Sequence, residues 1–153
     1  MISRLKAGFF RDCHGDLHSR NILLLPDPQL FDCIEFNDDF REIDVLNEVA
    51  FLCMDLDAFG RQEVSALFLK SYNELFCTII TGEDYRLFLY YKMYRANIRA
   101  KVNSLRACST DNDGTRQILL REAEKYLKLI KIYLGQCIRT KVQLLLGNIK
   151  QHS

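Results

Sequence analysis

The 153-residue chain has almost no excess of charge, with 21 Lys and Arg against 20 Asp and Glu. It therefore carries no global field that would draw it to nucleic acid or an anionic membrane, and any electrostatic attraction must be local. No apolar run approaches the ~20 residues a bilayer-spanning helix needs, and residues 1–6 lack the extended hydrophobic region of a signal peptide. Six cysteines (Cys13, Cys33, Cys53, Cys77, Cys108, Cys137) are scattered without a C-x-x-C pair, which predicts reduced thiols in a core. Internal repeats and low-complexity segments are absent too. These absences predict a cytoplasmic protein with neither a nucleic-acid nor a membrane partner. With 48% hydrophobic and 27% charged residues, the composition is that of a folded globular chain, and the length allows one domain over residues 1–153 with a real core.

The informative stretch lies near the amino terminus. His14-Gly15-Asp16-Leu17-His18-Ser19-Arg20-Asn21 runs into the β-type segment Ile22-Leu23-Leu24-Leu25, then Pro26-Asp27-Pro28, then Leu30-Phe31-Asp32. Proline fixes φ and removes a donor, so 26–28 is a turn and the apolar runs at 22–25 and 30–31 are the two strands of a hairpin. Asp16 and Asn21 precede the hairpin and Asp32 follows it, an oxygen-ligand set of the kind a hard cation such as Mg²⁺ prefers. Phosphoryl transfer suits such a set, because it needs a positioned hydroxyl and neutralised phosphate charge rather than elaborate covalent chemistry. Asp16 would orient and deprotonate an acceptor hydroxyl, while Asn21 and Asp32 would hold metal. His14 and His18 lie four apart, as a zinc pair would, but Gly15 argues against a helix there and no third ligand is suitably spaced.

His14-Gly15-Asp16 with Asn21, followed by a hairpin leading to Asp32, resembles the aminoglycoside phosphotransferase family, which shares the protein-kinase fold and whose loop reads H-G-D-x-x-x-x-N. The runs Arg11-Asp12-Cys13, Phe31-Asp32-Cys33-Ile34-Glu35-Phe36-Asn37, Phe40-Arg41-Glu42-Ile43-Asp44 and Ala50-Phe51-Leu52-Cys53-Met54-Asp55-Leu56 are similar to a bacterial branch in which such a domain is often fused to a P-loop ATPase domain. The similarity extends through Tyr94-Arg95-Ala96 and Ile98-Arg99-Ala100-Lys101-Val102, so it covers residues 8–107. The resemblance implies ATP-dependent phosphorylation of a small-molecule hydroxyl with Mg²⁺. Asp16 would be catalytic, Asn21 and Asp32 would bind metal and cofactor, and His14 would bond backbone near the hairpin. His18, Glu35, Arg95 and Arg99 are the candidate substrate contacts. Asp44 would hold the catalytic-loop backbone from a helix start, or act as a simple cap. The family name identifies no acceptor.

The same resemblance would place a Gly-rich loop, a strand lysine and a helix glutamate upstream of His14, and residues 1–13 hold none of them. The chain is thus expected to be a kinase-like carboxy-terminal lobe, inactive alone, whose nucleotide lobe comes from a separate chain or domain, or whose partner is a P-loop ATPase domain. The alternative is a non-catalytic binding or scaffold module that retains the lobe.

The rest of the chain reads as helices, which makes the fold class α+β, mainly helical. Asp44 precedes Val45, Val49, Leu52, Leu56 and Phe59 at steps of four and three, an amphipathic helix ending at Gly60. A second helix over 62–76 buries Val64, Leu67, Phe68, Tyr72, Leu75 and Phe76. After the separator Thr81-Gly82-Glu83-Asp84, a long helix over 85–108 buries Phe88, Leu89, Met93 and Ala96 and carries Lys92, Arg95, Arg99 and Arg106 on one face. That face is an ordinary solvated surface or, more sharply, a site for an anionic substrate or an acidic partner. Leu119, Ala123, Tyr126, Leu127, Ile130, Tyr133 and Leu134 mark a last amphipathic helix, interrupted at Gly135 and resuming to Leu146. The run 142–147 resembles the strand that opens a P-loop, but residues 148–153 do not complete the motif, and the tail is predicted to be helix with a frayed end.

Overall fold

A computed structural model describes residues 2–151 of the chain. It is α+β and mainly helical, 69% helix against 7% strand. The chain divides into two compact units, Met1–Ile80 and Thr81–Ser153.

The first unit opens with a short helix α1 (Ile2–Lys6) and strand β1 (Phe10–Asp12), followed by a 3₁₀ turn at Ser19–Asn21. Strands β2 (Ile22–Leu23) and β3 (Gln29–Leu30) form the predicted hairpin, with Ile22 opposite Leu30 and Leu23 opposite Gln29. β2 is shorter than 22–25 because Leu25 N–H already turns back to the Leu23 carbonyl at 3.0 Å, ahead of the proline. A 3₁₀ turn at Asp38–Phe40 leads into β4 (Glu42–Asp44). β4 pairs antiparallel with β1, Phe10 opposite Asp44. Phe-Arg-Asp and Glu-Ile-Asp are three residues each, too short for alternation to mark a strand, so the sequence does not predict this second sheet; it exists through pairing across some thirty residues of chain.

Helix α2 (Val45–Ala58) starts at its Asp44 cap, whose carboxylate accepts the Leu46 N–H at 2.9 Å. It is not half-exposed as an amphipathic helix would be: 12 of its 14 residues are buried. Helix α3 (Gln62–Leu75) packs on α2 through a small residue, Ser65, whose hydroxyl donates to the Cys53 carbonyl at 3.1 Å. That contact turns the larger side chains outward, so the predicted buried face is corrected: Val64, Leu67, Leu75 and Phe76 are exposed, Leu75 by 90%. Nor are the cysteines core thiols as a group, since only Cys53 is buried and Cys77 and Cys108 are exposed, although all six are free thiols.

In the second unit, helix α4 (Gly82–Cys108) begins earlier than predicted. The supposed separator is its cap and first turn: Thr81 Oγ1 accepts the Asp84 N–H at 3.1 Å while Asp84 Oδ2 accepts the Thr81 N–H at 2.9 Å. Helix α5 (Asp113–Gln151) follows after a four-residue loop and packs along α4. Close approach is possible at Gly82, where a Cβ would lie 2.6 Å from Leu144 Cδ2. α5 passes through Gly135 without a break, because a single glycine costs only about 1 kcal/mol relative to alanine and a long packed helix absorbs it. Leu127 and Leu134, predicted on its buried side, are half-exposed, whereas Ala123, Tyr126, Leu129 and Tyr133 are buried. Of the tail predicted as helix with a frayed end, the helix continues to Gln151, and residues 152 and 153 lie outside the described residues. No helix among the described residues is long and apolar enough to cross a membrane.

Candidate functional site

The loop from His14 to Asn21 has little regular structure, so its shape must come from groups outside it. Gly15 sits at φ +81°, and a Cβ there would come within 3.0 Å of both the Phe40 carbonyl oxygen and Ile34 Cδ1, so the position accepts no side chain. Its N–H donates to Glu48 Oε2 at 3.1 Å. Four residues on, the Ser19 N–H donates to Asp55 Oδ2 at 2.9 Å, and the Ser19 hydroxyl donates to the same oxygen. Glu48 and Asp55 are seven apart on α2, two turns, and so share a side of the helix. Between the two anchors Leu17 is buried. The loop is thereby fastened to α2 at both ends of Asp16-Leu17-His18 by charge-assisted bonds. Sequence reasoning missed both carboxylates. The available signal was acidic residues inside an otherwise apolar helix, since Asp and Glu are rarely buried without a partner.

His14 links the loop to the hairpin. A carbonyl can only accept, so its Nε2 donates to the Phe31 carbonyl at 2.8 Å, and Nδ1 accepts the Asp16 N–H at 3.3 Å. His18, buried and packed 5.5 Å from the Phe51 ring, accepts the Arg20 N–H on Nδ1, which leaves the proton on Nε2, 3.5 Å from Asp16 Oδ2. His18 thus faces the Asp16 carboxylate. Asn21 is buried, and its amide nitrogen lies 3.1 Å from the Asp16 carbonyl and 3.5 Å from both Asp16 Oδ2 and the Asp32 carbonyl oxygen. Asp16, Asn21 and Asp32 therefore converge. The Asp32 part of that convergence runs through its main chain, and its side chain is exposed. Asp32 is also the one non-glycine residue with positive φ among those described, at φ 60°. Aspartate tolerates that region better than most residues, and such strain gathers at functional sites.

Asp44 does not reach the loop. Its carboxylate caps α2 and forms a buried bidentate pair with Arg4, Nε to Oδ2 at 2.6 Å and Nη2 to Oδ1 at 2.9 Å. Arg4 also donates from Nη1 to the Thr78 carbonyl at 2.8 Å and lies over the Phe9 ring. The loop-holding task belongs to Glu48, one turn further on. Nearby Tyr72 has its hydroxyl pKa pushed up, chiefly by burial and further by Cys13, Glu48 and Asp44.

Glu35 is exposed in the segment after the hairpin. Arg95 and Arg99 belong to the second unit, and the face they were assigned to is not uniformly solvated. Lys92 and Arg95 are buried, Lys92 Nζ lies 4.4 Å from the Tyr133 ring centroid and 5.4 Å from that of Phe88, and Arg99 lies 5.9 Å from that of Tyr126. Only Arg106 of the four is exposed. Periodicity placed these cations on one face correctly but could not show that aromatic rings of α5 lie beside it.

Among the described residues, no group of three or more His, Cys, Asp or Glu side chains could hold a metal ion. No family model matches the chain, and no solved structure matches it. Over 106 residues, 67% of this chain, it is 38% identical to the uncharacterized protein Rv2004c of Mycobacterium tuberculosis (strain H37Rv) and to the uncharacterized protein Mb2027c of Mycobacterium bovis. The chain spans about a fifth of the length of these relatives, 20% of each.

Proposed function

We propose that residues 14–32 are the catalytic loop and metal hairpin of a kinase-like phosphotransferase of the aminoglycoside phosphotransferase type, which transfers the γ-phosphoryl group of ATP to a small-molecule hydroxyl. The observation that carries this reading is the Asn21 amide, which sits within 3.5 Å of both the Asp16 carboxylate and the Asp32 main chain. It joins the beginning and the end of the motif in one place. Asp16, oriented by the facing His18 ring, is the base for the acceptor hydroxyl. Asn21 and Asp32 supply oxygen donors of the type that suits Mg²⁺. Mg²⁺ is characteristically held by one or two carboxylates together with substrate phosphates rather than by an all-protein cage, so Asn21 and Asp32 would hold it together with nucleotide. When bound, the ion would neutralise charge on the phosphates.

The hairpin also supports the partner in this reading. Leu23, Leu24, Leu25, Leu30 and Phe31 are all exposed beside Asn21 and Asp32, Leu24 by 88%. An apolar surface of that kind marks an interaction site, and a nucleotide lobe from another domain or chain, acting in the cytoplasm, is the occupant this function requires. The test is transfer from γ-labelled ATP to a panel of small-molecule alcohols, using the full-length natural protein. Asp16→Asn should lower kcat by about 10²–10⁴-fold, the usual worth of a general base. Transfer that survives Asp16→Asn intact would remove Asp16 as the base, and no transfer to any of the alcohols by the wild-type protein would leave the non-catalytic scaffold reading in its place.

A further inference from the structure

Helix α5 carries an apolar stripe that α4 leaves uncovered. Leu120, Leu127, Leu134, Ile138 and Leu145 are each about half-exposed (50%, 49%, 50%, 55% and 53%). They follow one another at steps of seven, seven, four and seven, which sets them along one line on the helix surface. Filling in the alternation of four and three adds Glu124, Lys131 and Lys141, all exposed. The eight positions form an unbroken coiled-coil seam of nearly four heptads, about 39 Å long at about 1.5 Å per residue.

The polar positions on that seam select its partner. If a second copy lay parallel and in register, Glu124 would face Glu124, Lys131 would face Lys131 and Lys141 would face Lys141, three like-charge layers that destabilise. Reversing the second copy about a two-fold axis between residues 132 and 133 removes all three. Leu120 then meets Leu145, Leu127 meets Ile138, and Glu124 meets Lys141, each pair occurring twice by symmetry. The remaining layer sets Lys131 beside Leu134, where its methylene stem covers the leucine and the ammonium reaches solvent at the edge. Sliding the copies by one heptad breaks the Glu124–Lys141 pair in either direction, bringing Lys131 against Lys141 one way and setting Glu124 against Leu134 the other. A self-complementary charge pattern with one favourable register is the signature of a specified coiled-coil partner.

We propose that α5 is a dimerisation helix that pairs antiparallel with α5 of a second copy of this chain, centred between residues 132 and 133. Glu124 is ready to take part as an anion: Lys128, 2.8 Å away on the same helix, holds its carboxyl below the usual range. The proposal is independent of the phosphotransferase reading, because it uses no residue of the first unit.

Sedimentation equilibrium on the full chain in reductant, which keeps the exposed Cys77 and Cys108 from cross-linking, tests it. The expected species is a dimer. Leu127→Lys with Leu134→Lys should give a monomer of unchanged helicity. Lys141→Glu alone should weaken the dimer roughly tenfold, about 1.4 kcal/mol, and adding Glu124→Lys should restore it, since the swapped pair keeps opposite charges only in this antiparallel register. A wild-type chain that stays monomeric at its highest soluble concentration overturns the proposal. So does a dimer indifferent to the leucine changes, and a charge swap that fails to restore pairing overturns the register on which the proposal stands.

Discussion

Residues 14–21 of the first unit contain three residues of 3₁₀ turn and no other regular structure, and they are held by carboxylates 33 and 36 positions away, Glu48 on Gly15 and Asp55 on Ser19. In the second unit, α4 opens with a cap that closes within three residues, Thr81 on Asp84, and packs along a helix that follows it after a short loop. One unit is shaped by distant polar bonds and the other by local bonds and packing periodicity. The difference matters for chemistry, because a loop fixed from a buried helix can hold Asp16, His18 and Asn21 in irregular positions that no repeating structure would provide.

The strongest way to separate the two units is to remove Arg4. Asp44 is 1% exposed, and stranding its carboxylate should cost about 3–5 kcal/mol. Denaturant unfolding of Arg4→Ala should show that loss, with amide-exchange protection falling across α2 and β4 but not across α4 and α5. Equal loss of protection in both units would break the comparison. Next in size are Glu48→Gln and Asp55→Asn, each of which replaces a charged acceptor of loop N–H groups. Each should cost about 1.5–3 kcal/mol, the range for hydrogen bonds to charged groups, and should speed amide exchange at Gly15 or Ser19 respectively. Exchange rates that do not change would mean the loop holds its shape without α2.

In the second unit the expected effects are smaller, because each contact is local. Thr81→Ala should cost about 1 kcal/mol through loss of the cap. Gly135→Ala should stabilise by roughly 0.5–1 kcal/mol, since a Cβ there meets only Arg139 Nη1, at 3.5 Å. Thermal melting reads both, and destabilisation by the Gly135 change would point to a strain in α5 that its unbroken path does not suggest. The smallest effect concerns pH. Tyr72 has a folded pKa above its ordinary value of 10.0, so between the two values the unfolded chain has lost the proton that the folded chain keeps. Its contribution to stability is complete below pH 10 and lost as pH rises through the folded value. Tyr72→Phe should flatten that alkaline decline, as followed by melting across the range.

Legibility followed the same division. The hairpin was readable from Pro26-Asp27-Pro28 between apolar runs, the α2 start from Asp44, and the course of α4 and α5 from their apolar spacing, because each signal lies within a few residues of what it specifies. The β1–β4 pairing, the Arg4–Asp44 bond and the two loop anchors were not readable, because each depends on which distant residue arrives. The exposed side of α3 and the ring-covered Lys92 and Arg99 failed for a related reason: periodicity shows which residues share a face, not what meets it. At the candidate site, the motif named Asp16, Asn21 and Asp32, while the groups that hold them in place, His14, Glu48 and Asp55, were named in part or missed.

The most direct test of a phosphotransfer site at residues 14–32 is NMR of the chain with Mn²⁺ in place of Mg²⁺, added with ATP, because paramagnetic broadening reports even weak binding close to the ion. The predicted result is selective loss of the resonances of Asp16, Asn21 and Asp32 and their neighbours, abolished by Asn21→Ala with Asp32→Ala. No broadening there, or broadening elsewhere that the double change leaves untouched, would contradict it.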